Sequence, residues 1–279
     1  MSTPFDSLPL VTIVTPSFNQ AQFLGETIES VLSQDYPRIE YIILDGGSTD
    51  GSVDIIRRYE DRLAAWVSEP DKGQTEAINR GFGMAHGEIL AWLNSDDVYR
   101  AGAVKEAVAH LQAHPEVGMV HGGGYYIDEA GAAVARFPSA DTNHRELRRG
   151  APHIAQQSAF FRSAVWRMVG PLDPTFYYAM DYDLWIRISA MTPLAYVPRM
   201  WSGFRLHGES KSMTVARRCW PEMIRVHFRD GGSVFSILYA KYLVRRVVEP
   251  VMPLRMGLRR MRFRLDPRHP AAGRPEGEG

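Results

Sequence analysis

The sequence predicts an α/β fold: a mostly parallel, doubly wound sheet with helices on both faces, followed by a C-terminal helical extension. Three observations predict it. Short apolar runs alternate with helical patterns through the first half, as in β-α repeats. Polar clusters follow several of those runs, where ligands bind in such sheets. Charge then changes character past residue 214. Lys/Arg and Asp/Glu balance at 32 each over the whole chain. Residues 215–268, however, hold 13 Lys/Arg against 4 Asp/Glu. The 279 residues suit one generous domain with an appendage.

Leu10–Val14 is β-branched and reads as the first strand. Ala21–Gln34 places Phe23, Leu24, Ile28, Val31 and Leu32 on one helical face. Tyr41–Leu44 is the second strand, Ser52–Tyr59 a short helix and Ala64–Val67 the third strand. Thr75–Ala85 is helical, ended near Gly87. Ile89–Leu93 is the fourth strand and Ala103–Ala113 another helix. Beyond Val117 the pattern changes. Met119–Asp128 and Ala132–Phe137 read as strands about a turn, Ser158–Phe161 as a strand and Ala164–Val169 as a helix. Asp181–Ala190 is helical, with strands at Leu194–Val197 and Gly203–Leu206. From Val215 the chain is helical, broken near Gly231-Gly232 and by Pro250 and Pro253. Residues 267–279, rich in Pro and Gly, read as a disordered tail.

Cys219 is the single cysteine, so no internal disulfide is expected and a reducing, cytoplasmic setting fits. Met1–Pro9 lacks a signal-peptide pattern, and no apolar stretch reaches membrane-spanning length. The basic segment matches no nucleic-acid motif, so nucleic acid is not an expected partner. Tyr239, Leu243, Val247 and Val248 alternate with Arg245 and Arg246, and Arg259, Arg260, Arg262 and Arg264 follow. This segment could lie peripherally on an anionic membrane, pack on the acidic body or form a homodimer contact.

Asn94-Ser95-Asp96-Asp97 follows the fourth strand. Adjacent carboxylates there suit a divalent cation or something bound to one, or a solvated turn. Asp45 opens the glycine-rich turn Asp45–Ser52. It could accept from a ring N–H or a ribose hydroxyl, or close an Asx-turn. Lys72, near a helix start, could meet phosphate oxygens or remain solvated. Asp181 could be a general base or an N-cap, and Asp183 and Arg187 lie one turn apart. His207 follows a strand. No Walker loop and no nucleophile elbow is present.

The order of these strings is more specific than any one of them. Thr12–Asn19, Ser30–Gln34 and Asp45–Ser52 come first. Glu69–Gly73, Asn79–Gly81, Gly87-Glu88 and Trp92–Asp97 follow. Together they resemble glycosyltransferase family 2, over roughly Leu10–His207. The resemblance implies a GT-A fold, with a donor half at about residues 10–120 and an acceptor half at 121–214. The basic helical extension would span 215–266. It implies sugar transfer from a nucleotide-diphosphate donor, typically a UDP-sugar, to an acceptor hydroxyl with inversion. Asp45 and Gly46 would meet the base, and Thr15, Pro16, Ser17 and Asn19 would line the nucleotide pocket. Lys72, Asn94, Ser95 and Asp97 would serve the nucleotide sugar. Asp96, with His207, would hold Mn²⁺ or Mg²⁺. Asn94 departs from the commoner Asp and leaves one fewer charge for the metal. Met180-Asp181 keeps only the second carboxylate of the family's Glu-Asp pair, the one assigned as base. The processive-synthase signature Q-x-x-R-W is absent, so a single addition is expected.

A base near Asp181 would place the acceptor by His153, Gln156, Gln157, Tyr182 and Trp185. A glycan or lipid-linked acceptor, in cell-surface polysaccharide or glycolipid synthesis, is the expected partner. Two other readings stand beside this one. A non-catalytic nucleotide-sugar-binding scaffold is encouraged by Asn94 and Met180. A sugar nucleotidyltransferase would need a basic, glycine-rich loop where the chain has Thr15–Asn19.

Overall fold

A computed structural model describes residues 8–150, 153–208 and 215–248. The predicted tail, the 259–264 arginine cluster and both late prolines lie outside the described residues. The chain divides into two compact units, Met1–Gly232 and Ser233–Gly279. Among the described residues no helix is long and apolar enough to cross a membrane.

The first unit opens with β1 (Val11–Ser17), α1 (Ala21–Leu32), β2 (Ile39–Asp45), α2 (Ser52–Arg57) and β3 (Ala65–Ser68). Next come α3 (Gln74–Met84), β4 (Ile89–Trp92), β5 (Val98–Tyr99), α4 (Ala103–Ala113), β6 (Met119–Ile127) and β7 (Ala133–Arg136). Then follow α5 (His144–Leu147), β8 (Ala159–Arg162), α6 (Ser163–Val169), α7 (Met180–Met191), β9 (Leu194–Arg205) and α8 (Val215–Arg229). The second unit contributes α9 (Ile237–Val248).

One nine-stranded sheet runs β3-β2-β1-β4-β8-β6-β9-β5, with β7 paired to β6. The four strands of the β-α repeats are parallel. β8 runs antiparallel to β4 and β6, while β6 and β9 run parallel. β1 is buried along its whole length, as a strand covered on both faces must be. One core layer packs Val11, Ile13 and Ile43 of the sheet against Leu24 and Ile28 of α1 and Val104 of α4.

β9 is a single strand where the sequence predicts two. Its register jumps from Val197 opposite Gly122 to Met200 opposite Gly123. A β-bulge thus absorbs Pro198 and Arg199, so the proline does not end the strand. Gly122 is required here, because a Cβ would lie 2.5 Å from the Trp201 ring. β5, not expected from sequence, pairs Val98 with Gly203. It ties the chain after the Asn94–Asp97 quartet to the far end of β9. The first unit also takes in α8, which the sequence reading gave to a separate extension from 215. Arg148 pairs with Asp230 just after α8 at 2.7 Å, and the α8 residue Arg229 pairs with Asp173 at 2.7 Å.

Candidate active site

The quartet sits at the carboxyl end of β4, beside the exit of β9. Asp96 Oδ2 lies 3.0 Å from His207 Nε2. Asp96 is about one-fifth exposed and His207 almost buried. Asp97 is buried, and its two oxygens are used inside the protein. Oδ1 accepts from the Arg205 amide at 2.9 Å, and Oδ2 accepts from Asn94 Nδ2 at 3.3 Å. Burial, and then the Asp96 charge, push the Asp97 carboxyl well above its usual range, against the pull of the Arg205 and Asn94 contacts. Asn94 works as a bracket. Its Oδ1 accepts from Gln74 at 2.6 Å, and its amide also donates to Gln156 Oε1 at 3.3 Å. Gln156 in turn donates to the Trp92 carbonyl at 2.8 Å.

Arg205, the last residue of β9, organises this corner. Its side chain is fully buried. Nε donates to the Asp96 carbonyl at 2.8 Å, and one terminal nitrogen donates to the Asp128 and Glu129 carbonyls at 3.0 Å each. The other pairs with Glu26 at 2.6 Å. The guanidinium lies 4.9 Å from the Phe23 ring centre, and that ring sits 4.8 Å from His207. One side chain therefore fixes the quartet backbone, the ring beside His207 and the β6–β7 turn.

The loops after β1 and β2 are cross-tied. Asn19 adopts a positive φ of 51°, a conformation that Asn tolerates better than most residues. Its Oδ1 accepts from the Thr49 amide at 2.9 Å, and its own amide donates to Ser48 at 2.8 Å. Asp50 accepts from the Ala21 amide at 2.8 Å and so caps α1 from the neighbouring loop. Asp45 is almost fully buried. Its oxygens accept from the Gly47 amide, the Ser48 amide and hydroxyl, and Ser68 Oγ. Three of these bonds close the turn that Asp45 opens, and the fourth ties it to Ser68 of β3. Gly46 lies against Asp71, since a Cβ there would be 3.0 Å from Asp71 Oδ2. Thr15 faces the core, its hydroxyl 3.0 Å from that of Tyr41. Lys72 is exposed, and its amide donates to Glu76 at 2.7 Å.

Asp181 lies half-buried in the first turn of α7, where its Oδ1 accepts from the Tyr182 amide at 2.7 Å. The start of α3 links it to the quartet. Thr75 Oγ1 lies 3.0 Å from the Met180 sulfur, and the adjacent Gln74 holds Asn94. Among the described residues no three His, Cys, Asp or Glu side chains converge as a metal cluster.

The acceptor set divides. Gln156 belongs to the quartet corner, and His153 is tied to the Pro138 carbonyl at 3.2 Å. Tyr182 and Trp185 are buried core residues. The Tyr182 hydroxyl donates to the Leu147 carbonyl at 2.7 Å, and Trp185 stacks on Trp92 with ring centres 5.4 Å apart. Gln157 is likewise buried. Their positions on α7 and beside β8 turn them into the core. Sequence reasoning missed Arg205, although a lone Arg between Phe204 and Leu206 in a strand was a signal. Phe18, beside Asn19, is 60% exposed.

The family model described as Glycosyl transferase family 2 matches residues 12–169. The uncharacterized glycosyltransferase Rv1514c of Mycobacterium tuberculosis is 34% identical over 184 residues, covering 65% of this chain and 69% of that protein. Among solved structures, S. aureus TarS 1–349 in complex with UDP superposes with a TM-score of 0.64 at 16% identity. That match covers 85% of this chain and 71% of the other. The mannosyltransferase PcManGT of Pyrobaculum calidifontis, in complex with GDP-Man and Mn²⁺, gives 0.63 at 23% identity, over 86% and 71% of the two chains. These two likenesses establish the GT-A type of fold.

Proposed function

The chain belongs to glycosyltransferase family 2, and on that premise we propose that it moves a sugar from a UDP-sugar to an acceptor hydroxyl, with inversion and by single additions. Asp181 is the general base, and Asp96 and His207 would hold a divalent cation. One observation carries the reading: the first two residues of α3 touch both halves of the chemistry. Gln74 holds Asn94 beside Asp96, and Thr75 holds Met180 beside Asp181. A leaving group and a base on opposite sides of an anomeric carbon need such a meeting point.

Asp96 and His207 supply two ligand atoms of types that suit Mn²⁺ or Mg²⁺, and their 3.0 Å spacing fits a shared ion. Donor diphosphate oxygens would complete its shell. When bound, the cation neutralises the leaving diphosphate. Asn94 offers no oxygen there, because Gln74 already occupies it. Phe18 gives the base an exposed ring on which to stack. Asp71, exposed beside Gly46, meets a base N–H, while Asp45 shapes the loop around it. Lys72 reaches the phosphates. Asp181 removes the acceptor proton as the bond forms, a contribution of roughly 10²–10⁴-fold. Displacement from the side opposite the leaving group inverts the anomeric centre.

We place the acceptor on a glycan or lipid-linked precursor of a cell-surface polysaccharide or glycolipid, with the enzyme in the cytoplasm. Exposed Leu243 and Val244 beside Arg245 and Arg246 on α9 suit a peripheral stop on an anionic lipid surface. The scaffold reading draws no support from Asn94 and Met180, because both have structural partners. The test is hydrolysis of UDP-glucose, UDP-N-acetylglucosamine and GDP-mannose with Mn²⁺ or EDTA. Cation-dependent release of nucleoside diphosphate supports the proposal; no release from any donor rejects it.

A further inference from the structure

α7 begins without a cap of its own. Ala179, at its N-cap position, has no side chain that could accept from the exposed amides of the first turn. A carboxylate from α8 instead binds the N-cap amide and the two amides before it. Glu222 accepts from the Tyr178 amide at 2.7 Å, the Ala179 amide at 2.9 Å and the Tyr177 amide at 3.1 Å. These are charge-assisted bonds, and a negative charge at a helix N-terminus is favoured by the helix dipole.

Glu222 does not act alone on this loop. Arg225, one turn further along α8, donates to the Thr175 hydroxyl at 3.0 Å and lies 4.7 Å from the Phe176 ring centre. Arg229, another turn on, pairs with Asp173 at 2.7 Å and with buried Asp183 of α7. Three residues at i, i+3 and i+7 thus form one face of α8 and grip both the 173–179 loop and α7.

We propose that Glu222 is a positioning residue for the base: by holding the amides at the start of α7 from α8, it fixes the direction in which Asp181 points. The inference rests on Asp181 being the base. It gives part of the basic C-terminal segment a role in sugar transfer. A base displaced by about 1 Å can cost as much as 10²-fold in rate, whereas donor contacts lie on other elements and stay intact.

The test uses the full chain, Glu222→Ala and Glu222→Gln, with the hydrolysed donor that the native chain turns over fastest. Glu222→Ala is expected to lower kcat roughly 10- to 100-fold with donor KM within about twofold. Glu222→Gln keeps an acceptor oxygen and should recover part of the loss. Hydrogen exchange is read on the same proteins. The Tyr177–Ala179 amides should lose protection in Glu222→Ala, while those of Gly47 and Ser48 keep theirs. Unchanged kcat, or loss of kcat and donor affinity together, overturns the proposal. So does unchanged protection at 177–179. Should the native chain release nothing from any donor, the transferase reading fails, and the exchange data still decide whether Glu222 holds the helix.

Discussion

Asp97 and Asp181 are carboxylates at opposite ends of the same candidate site, and their surroundings differ. Asp97 is buried in a corner whose other members include the strand ends Trp92 on β4 and Arg205 on β9. Its neighbours are bonded to one another, so loss of one disturbs several. Asp181 stands half-buried on a helix start that is held by Glu222 and touches α3 through Met180. The proposed donor corner is thus part of the sheet's own stability, and the proposed base is mounted on a separately held helix. Binding and chemistry should therefore be separable by substitution. The largest expected effect is at Asp181. In Asp181→Asn the Oδ1 can still accept from the Tyr182 amide, so the fold should persist with donor affinity unchanged, while turnover falls about 10²–10⁴-fold. Titration of the donor beside a hydrolysis assay reads both. Donor affinity falling in step with turnover would break the comparison.

Arg205→Met tests the other side. It fills similar space but leaves the Asp96, Asp128 and Glu129 carbonyls without their donor, and each buried acceptor left unmatched costs about 1–3 kcal/mol. Urea unfolding should show that loss, with donor binding weakened in the remaining folded protein. A stable Arg205→Met variant with native donor affinity would mean that the quartet does not depend on β9. Arg205→Lys should recover little, since one ammonium cannot serve carbonyls on two sides.

The same contrast explains how far the sequence could be read. Apolar runs bounded by turn residues located β1, β2, β3 and β4; β1 and β4 are buried along their length, and even the half-buried edge strand β3 is a short apolar run. The ordered polar strings at their exits pointed to Asp96, Asn19 and Asp45, which the structure places at the carboxyl ends of β4, β1 and β2. β9 was split, since a proline in a strand signals an ending and the compensating Gly122–Gly124 lie far away in sequence. β5 is too short for periodicity to show. Tyr182 and Trp185 were placed on a ligand because aromatic rings suit sugars, and only packing against Leu147 and Trp92 reveals them as core. Glu222 was invisible in this role, being distant in sequence from the amides it serves.

Acid should separate the two regions in a graded way. His121 on β6 pairs in register with Tyr196 of β9, the strand that ends in Arg205. Burial lowers its pKa from 6.5 to about 4, against a weaker backbone hydrogen bond at Gly122. A folded-state pKa below the unfolded one means that stability is complete above about 6.5 and declines as pH falls toward 4. The span is worth about 3 kcal/mol at 1.36 kcal/mol per unit. On the α8 side, burial would raise the Asp173 carboxyl, but bonds from Thr175 and the Arg229 guanidinium outweigh it and hold it below its usual range. That link persists until pH falls through the lowered value. Between pH 6.5 and 4 the sheet side should therefore lose stability first. His121→Phe should flatten the pH dependence of the urea midpoint over that range. A slope equal to the native one would assign the acid sensitivity elsewhere.

Asn94→Asp is the smallest of the expected effects and the most informative about the departure from the family pattern. The substitution restores the commoner carboxylate, yet it removes the amide that donates to Asp97 and Gln156. It also sets a further negative charge beside Asp97, whose carboxyl is already raised by burial and by Asp96. Leaving buried partners unmatched costs about 1–3 kcal/mol. Without divalent cation, then, the variant should unfold at lower urea than the native chain. Mn²⁺ acts in the opposite direction: if the new carboxylate turns toward Asp96 and His207, the cation binds the folded state more tightly and restores part of the loss by mass action. A variant as stable as native in EDTA would show that Asn94 is not the bracket of this corner. A variant destabilised in EDTA and untouched by Mn²⁺ would show that the neutral residue serves the fold alone, with the cation site confined to Asp96 and His207.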